Sequence, residues 1–267
     1  MSTADRLLTI YVSIISALAI APIAIVLIVA LNTSNFLSFP PAGLSLRWFA
    51  QVMSEPMWRD SLWISLQIGG AVALLSTALG IATALGLRAM NNTMSSALQT
   101  FFLSPLMLPT VVIGLALMQF YNTINMPASL ITVTLGQLLI AVPYVIRLVL
   151  ASFTGVDLRV ERAAAILGAN PVQVFRYVTF PLIRHAALAG ALFSFIVSLD
   201  DVNIALFLSD VRTTPLPVQL FSYIEQNADS LGAAAASVLV LLACGAVFIC
   251  DRLVGIEWLF GIERKSN

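Results

Sequence analysis

Two adjacent carboxylates inside an apolar run are the groups in this sequence most able to do chemistry. Asp200 and Asp201 lie within SFIVSLDDVNIALFLSD, and Ser194, Ser198 and Asn203 add polar atoms to the same stretch. A carboxylate at mid-bilayer costs on the order of 3 kcal/mol even on a lenient insertion scale. Two side by side must therefore face a cavity, a partner or a shared proton. On one continuous helix, neighbours are turned by about 100°, so only one of the pair can point straight into a narrow path. The other would bond to an adjacent helix. The chemistry on offer is attraction of a cation, with Asp201 the favoured pathway residue and Asn203 beside it. Holding helices or a partner subunit together is the structural alternative. Glu225 and Asp229, further on, read as solvated loop charges or as a guide for cations.

Little else is equipped to react. The chain has no Gly-rich phosphate loop, no paired metal-ligand spacing and no nucleophile motif. Cys244 and Cys250 share one apolar run and suggest neither a disulfide framework nor a metal site. His185, beside Arg184, reads as a polar residue at the edge of a span. A formal net charge of zero leaves no electrostatic footprint for nucleic acid. No catalytic residue, metal or cofactor is expected in this chain.

The elements that must position the acids are membrane spans. Hydrophobic residues make up 60% of the chain and charged ones only 10%, against about 25% charged in a globular domain. A crossing helix needs about 20 apolar residues, and six runs qualify: about 7–31, 61–87, 98–120, 129–150, 186–208 and 231–253. The expected fold is an all-α integral membrane protein with six transmembrane helices in a single domain over 1–267. The first run reads as a retained span. Trp58 and Trp63 mark an interface, as amphipathic rings do, and a further interfacial piece runs from Leu44 to Met53 with Trp48. The second span is rich in Gly, Ala, Ser and Thr, which let helix backbones approach closely in lipid. Pro105, Pro109 and Pro143 fall within the third and fourth spans, where they read as simple kinks or as breaks lining a pathway.

Between the fourth and fifth spans lies DLRVERAAAILGANPVQVFRYVTFP, residues 157–181. Asp157 is a suitable N-cap for a short helix through Glu161 and Ala163–Ala165, and Gly168 can supply its left-handed stop. Asn170 and Pro171 restart a second helix as cap and first residue. Val172, Phe175, Val178 and Thr179 share one side of it, Arg176 lies off that side, and Pro181 is expected to end it. A small-residue face and a protruding Phe175 suit docking into a partner's groove; a plain amphipathic linker on the membrane surface is the bland reading.

These residues carry a family resemblance. Glu161-Arg162-Ala163-Ala164, then Leu167-Gly168-Ala169, Phe175, Val178 and Pro181 resemble the EAA loop of ABC-importer permeases. The family's glutamate stands directly before the two alanines, where this chain has Arg162, with Glu161 one place earlier. SLDDVNIALFLS followed by TTPLPVQLFSYI is similar to the spermidine/putrescine branch of that family. The resemblance implies that Glu161, Arg162, Ala163, Ala164, Gly168 and Phe175 couple to a cytoplasmic ATPase. It further implies a second homologous permease forming a heterodimer, two ATPase subunits that bind ATP and Mg, and a periplasmic solute-binding protein. The chain itself would be no enzyme but the path for a small organic cation such as putrescine or spermidine, in a bacterial inner membrane.

The charge distribution gives an orientation by a separate route. With six spans, Arg6, Arg88, Arg147, Arg159, Arg162, Arg176, Arg184, Arg252, Arg264 and Lys265 share one side, and Arg47, Arg59 and Arg212 the other. Basic residues favour the cytoplasm, so both termini and the loop at 151–185 are expected there. An ion-coupled transporter using the Asp200/Asp201 pair as a proton relay is the alternative. Such transporters usually show repeats or broken helices in matched halves, and no convincing internal repeat is visible in the sequence.

Overall fold

The computed structural model describes residues 3–153 and 158–254, and these are helical with short connections. In chain order the helices are Thr3–Ala30 (α1), Arg47–Ser54 (α2), Pro56–Ala89 (α3), Asn92–Leu103 (α4), Thr110–Thr123 (α5), Leu130–Ser152 (α6), Leu158–Ile166 (α7), Pro171–Val174 (α8), Phe180–Asp200 (α9), Asn203–Leu208 (α10), Leu216–Ile224 (α11) and Ser230–Val254 (α12). Among the described residues, five runs are long and apolar enough to cross a bilayer: Arg6–Ala30, Pro56–Ala89, Leu130–Ser152, Pro171–Asp200 and Ser230–Arg252. A sixth is reached only by counting Asn92–Met107 and Thr110–Thr123 as one span bent by 99°.

That bend divides the third span expected over 98–120, where Pro105 and Pro109 left both a kink and a break open. A 3₁₀ turn at Ser104–Met107 follows α4, Leu108 is extended (φ −95°, ψ 142°), and Pro109 caps α5. The proline ring pushes the residue before it out of the helical region, so Pro109 breaks the span instead of kinking it. Pro143, by contrast, lies buried within the continuous α6. The fifth span differs too. Its helix starts at Pro171 and stops at Asp200, and α10 resumes only at Asn203. Pro181 does not end the second loop helix. The Phe180 amide reaches back to the Phe175 carbonyl in a π turn, and Pro181 then sits in the first turn of α9, where its missing N–H costs no bond.

One compact unit comprises Met1–Trp63 and Leu216–Ala243. Trp48, Val52, Trp58, Leu216 and Leu231 are buried in its core, and the Trp58 and Tyr223 rings meet edge-on at 5.0 Å. Trp63 is 62% exposed, as an interfacial residue should be, but Trp58 is fully buried and Trp48 nearly so. The polar loop after α1 is wound around fully buried Asn32. Its Oδ1 accepts from the Ser34 and Ala42 amides, its Nδ2 donates to Ser38 Oγ, and its carbonyl accepts from Trp48 Nε1 at 2.8 Å. Trp48 is therefore spent on folding this loop, and both buried rings serve packing within the chain.

The other unit comprises Ile64–Pro215 and Cys244–Asn267. Val145 of α6 is its wedge, clustered with Ala84, Val149, Phe153 and Ile183. Gly80 of α3 and Gly190 of α9 lie directly against it: a Cβ built on Gly80 would stand 2.5 Å from Val145 Cβ, and one on Gly190 3.1 Å from its Cγ1. Small residues thus let α3 and α9 close on the same α6 side chain. Gly80→Ala is expected to cost about 1–3 kcal/mol, the usual penalty for forcing extra volume into a packed core, and to lower the unfolding midpoint in detergent. Gly70→Ala, where an added Cβ meets nothing within 4 Å, should leave it unchanged.

Candidate functional site

The expected mid-span acids stand at a helix break. Asp200 is the last residue of α9, and Asp201 is extended (φ −76°, ψ 103°). The cause is local, because Asp201 Oδ1 accepts from the Ile204 amide at 3.3 Å and so caps the restarting α10. Its Oδ2 accepts from Gln137 Nε2 at 3.2 Å, and Ser198 Oγ donates to Gln137 Oε1. Asp201 is 8% exposed and Gln137 1%. A buried carboxylate needs such donors, and these hold Asp201 as a tie between α6, α9 and α10. The picture of two carboxylates 100° apart on one helix gives way to one locked and one free to face outward.

Asp200 is exposed and borders a cavity of about 270 Å³, which Asp201 and Asn203 also line. Across it lie Pro105, Leu108 and Thr110 from the third-span break, and Tyr144 from α6. Asn203 Nδ2 donates to Thr110 Oγ1 at 2.7 Å, joining the two breaks. Thr132 Oγ1 donates to the Leu208 carbonyl at 3.0 Å and fixes the far end of α10 on α6. Unpaired carbonyls and partial negative charge gather at a helix C-terminus. The end of α9 and the Asp200 carboxylate thus add up to a pole for cations, while the tyrosine, threonine and asparagine offer hydrogen bonds. The Pro105–Pro109 break contributes to this lining, and Pro143 does not. Sequence reading missed Thr110, Tyr144 and Gln137; the only glutamine within the fourth span, 129–150, was the available signal.

Glu225 remains exposed, but Asp229 is committed. Its Oδ2 accepts from Tyr223 Oη at 2.6 Å and its Oδ1 from the Gly232 amide at 2.9 Å, so it caps α12. Burial, reinforced by the Asp229 carboxylate, pushes the Tyr223 phenol well above its usual range.

In the second candidate region, residues 158–181, Gly168 is left-handed (φ 91°) and closes α7. Its amide bonds to the Ala165 carbonyl, and that of Ala169 to Ala164. Asn170 and Gln173 form a reciprocal capping box at α8. The proposed cap Asp157 lies outside the described residues. Arg162 and Ala163 are exposed, and Ala164 is half-buried. Phe175 does not protrude; it is half-buried and packs against Phe180 at 5.9 Å. The protruding groups are Ile166, Leu167 and Val172, at 85%, 88% and 72% exposed. Glu161 faces inward and is bonded to Arg88 and Thr179.

Residues 76–255 match the family described as binding-protein-dependent transport system inner membrane component. Over 236 residues the chain is 30% identical to the putrescine transport system permease protein PotI of Escherichia coli (strain K12), covering 86% of this chain and 82% of that protein. It is 26% identical over 225 residues to the spermidine/putrescine transport system permease protein PotC of Haemophilus influenzae, covering 84% of each. In fold it resembles a chain of a bacterial alginate ABC transporter solved with an alginate pentasaccharide-bound periplasmic protein. That match has a TM-score of 0.71 and 14% identity, over 94% of each chain.

Proposed function

The chain belongs to the binding-protein-dependent transport system inner membrane component family, and on that premise we propose that it forms the path for a diamine or polyamine. Membership makes it a permease subunit of an ABC importer, with no hydrolytic chemistry of its own. The observation that carries the choice of solute is the placement of Asp200, exposed on a polar cavity at the negative end of α9, while Asp201 is locked by Gln137 and Ile204. A small pocket with one outward carboxylate and several neutral hydrogen-bonding groups suits an ammonium on a slim aliphatic chain. The permeases for putrescine and spermidine named above point the same way. Because Asp201 is occupied in bonding, a proton relay through both acids lacks its second member.

In this reading Asp200 attracts the ammonium, and Asn203, Thr110 and Tyr144 take its N–H groups or its partner waters. Asp201 positions α10. The loop at 158–181 sits on a cytoplasmic ATPase, with Ile166, Leu167 and Val172 as its apolar anchors and Gly168 setting the turn between them. Ala163 and Ala164 allow close approach, Arg162 lies at the rim, and Phe175 supports the anchors from behind. Two such ATPase subunits bind ATP and Mg. A second, homologous permease completes a heterodimer, and a periplasmic binding protein delivers solute from the other side. The ten-to-three bias of basic residues supports cytoplasmic termini, on the side of an inner membrane where ATP is available. Closure of the ATPase dimer draws the loops together and rocks the spans from inward- to outward-facing.

Mild-detergent purification of the tagged chain, expressed with its chromosomal neighbours, tests the assembly. A P-loop ATPase and a second permease should co-purify; a chain recovered alone or as a homodimer would contradict it.

A further inference from the structure

The geometry points to Arg88 as the residue that positions the 158–181 loop on the spans, so that a push at the loop becomes a movement of α3 and α6. This rests on the reading of that loop as the ATPase contact. Arg88 lies in the last turn of α3, where its charge also suits the negative helix end. Its Nη1 donates to Glu161 Oε1 of α7 at 2.8 Å. Thr179 Oγ1, in the π turn, donates to the same oxygen at 2.8 Å. The guanidinium carbon stands 4.0 Å from the centroid of the Phe153 ring, the residue that ends α6. The Arg88–Glu161 pair thus joins the ends of two spans to both halves of the loop.

The surroundings make this joint stiff. Arg88 and Glu161 side chains are only 13% and 22% exposed, so the pair is screened far less than a surface bridge. Arg88 Nη2 is buried without a hydrogen-bond partner among the described residues, which leaves Glu161 and the Phe153 face to hold the guanidinium. The planar fork of Arg is suited to bonding and stacking at once, and Lys is not. Breaking one partner would strand the other as a poorly compensated charge. The π turn adds a reason for Thr179 to be the third member: it widens the helix where Thr179 must reach Glu161, and it sits on the same rod that ends at Asp200. Glu161 is then the inner anchor of the loop, and contact with the ATPase falls to Ile166, Leu167 and Val172.

The test is the number of ATP hydrolysed per putrescine imported by the whole transporter in proteoliposomes, for wild type, Arg88→Met, Glu161→Gln and the exchanged pair Arg88→Glu/Glu161→Arg. ATPase co-purification is measured alongside. Arg88→Met should keep the ATPase bound yet raise ATP consumed per putrescine about ten-fold, the scale of a typical coupling between sites. Glu161→Gln should raise it less, and the exchanged pair, which restores the ion pair but sets a carboxylate against the Phe153 face, should bring the ratio below that of Arg88→Met without reaching wild type. A merely structural role predicts lost assembly with the ratio unchanged in whatever assembles. If Arg88→Met yields no complex, Glu161→Gln and the exchanged pair decide. Unchanged ratios in the variants, beside a wild type that couples normally, overturn the positioning role alone. A wild-type chain that binds no ATPase overturns the loop assignment and this role with it.

Discussion

Asp200→Asn is expected to reduce ATP-driven uptake of putrescine by more than about ten-fold while the subunit assembles normally. The carboxylate is exposed on the cavity, and among the described residues it is given no protein partner. Removing its charge therefore withdraws attraction from the solute without stranding another group. A ten-fold loss corresponds to about 1.4 kcal/mol, a modest demand on one charge that meets an ammonium directly. Asp201→Ala should behave in the opposite manner. It strands Gln137 and uncaps α10, which costs about 1–3 kcal/mol for the unsatisfied groups, so yield and thermal stability fall first. Uptake and gel-filtration profiles measured on both variants separate the roles. Normal putrescine uptake by Asp200→Asn would remove it from the path.

Leu167→Asp should have the other large effect. The side chain is 88% exposed and follows α7 immediately before the left-handed Gly168, so an acidic replacement disturbs nothing within this chain. If Leu167 is an anchor in the ATPase groove, burying a carboxylate there should weaken co-purification by more than about ten-fold, as loss of a central apolar contact does. ATP-driven uptake should fall to background while expression stays at the wild-type level. Ala164→Arg is a less clean probe because Ala164 is half-buried and its carbonyl closes α7. Full ATPase recovery with Leu167→Asp would move the docking surface elsewhere.

Much of this molecule could be read from residue types, and the misreadings have specific causes. The spans followed from long apolar runs, and the loop helices from Asn170-Pro171 and Gly168, whose local bonding determines their conformation. The breaks were harder. Pro109 reads equally as a kink, and only its place between a 3₁₀ turn and α5 makes it a stop. Asp201 reads as the favoured pathway acid, and although it lines the cavity with Asp200 it is also tied to α6. Its partner Gln137 lies 64 residues earlier, beyond any local pattern. The burial of Trp58 and Trp48 depends on partners far along the chain, such as Leu216 and Leu231, which no local pattern announces. Glu161 appeared to belong to the partner's side because sequence cannot tell which face of a nine-residue helix meets Arg88.

The central claim is that this chain lines the import path of an organic cation. Its most direct test is uptake of labelled putrescine into proteoliposomes holding the full transporter, with ATP trapped inside and the binding protein added outside. ATP-dependent accumulation is expected, competed away by spermidine, untouched by acidic sugars and lost in Asp200→Asn. Accumulation of a neutral or anionic solute with putrescine excluded, or cation uptake indifferent to Asp200, would contradict it.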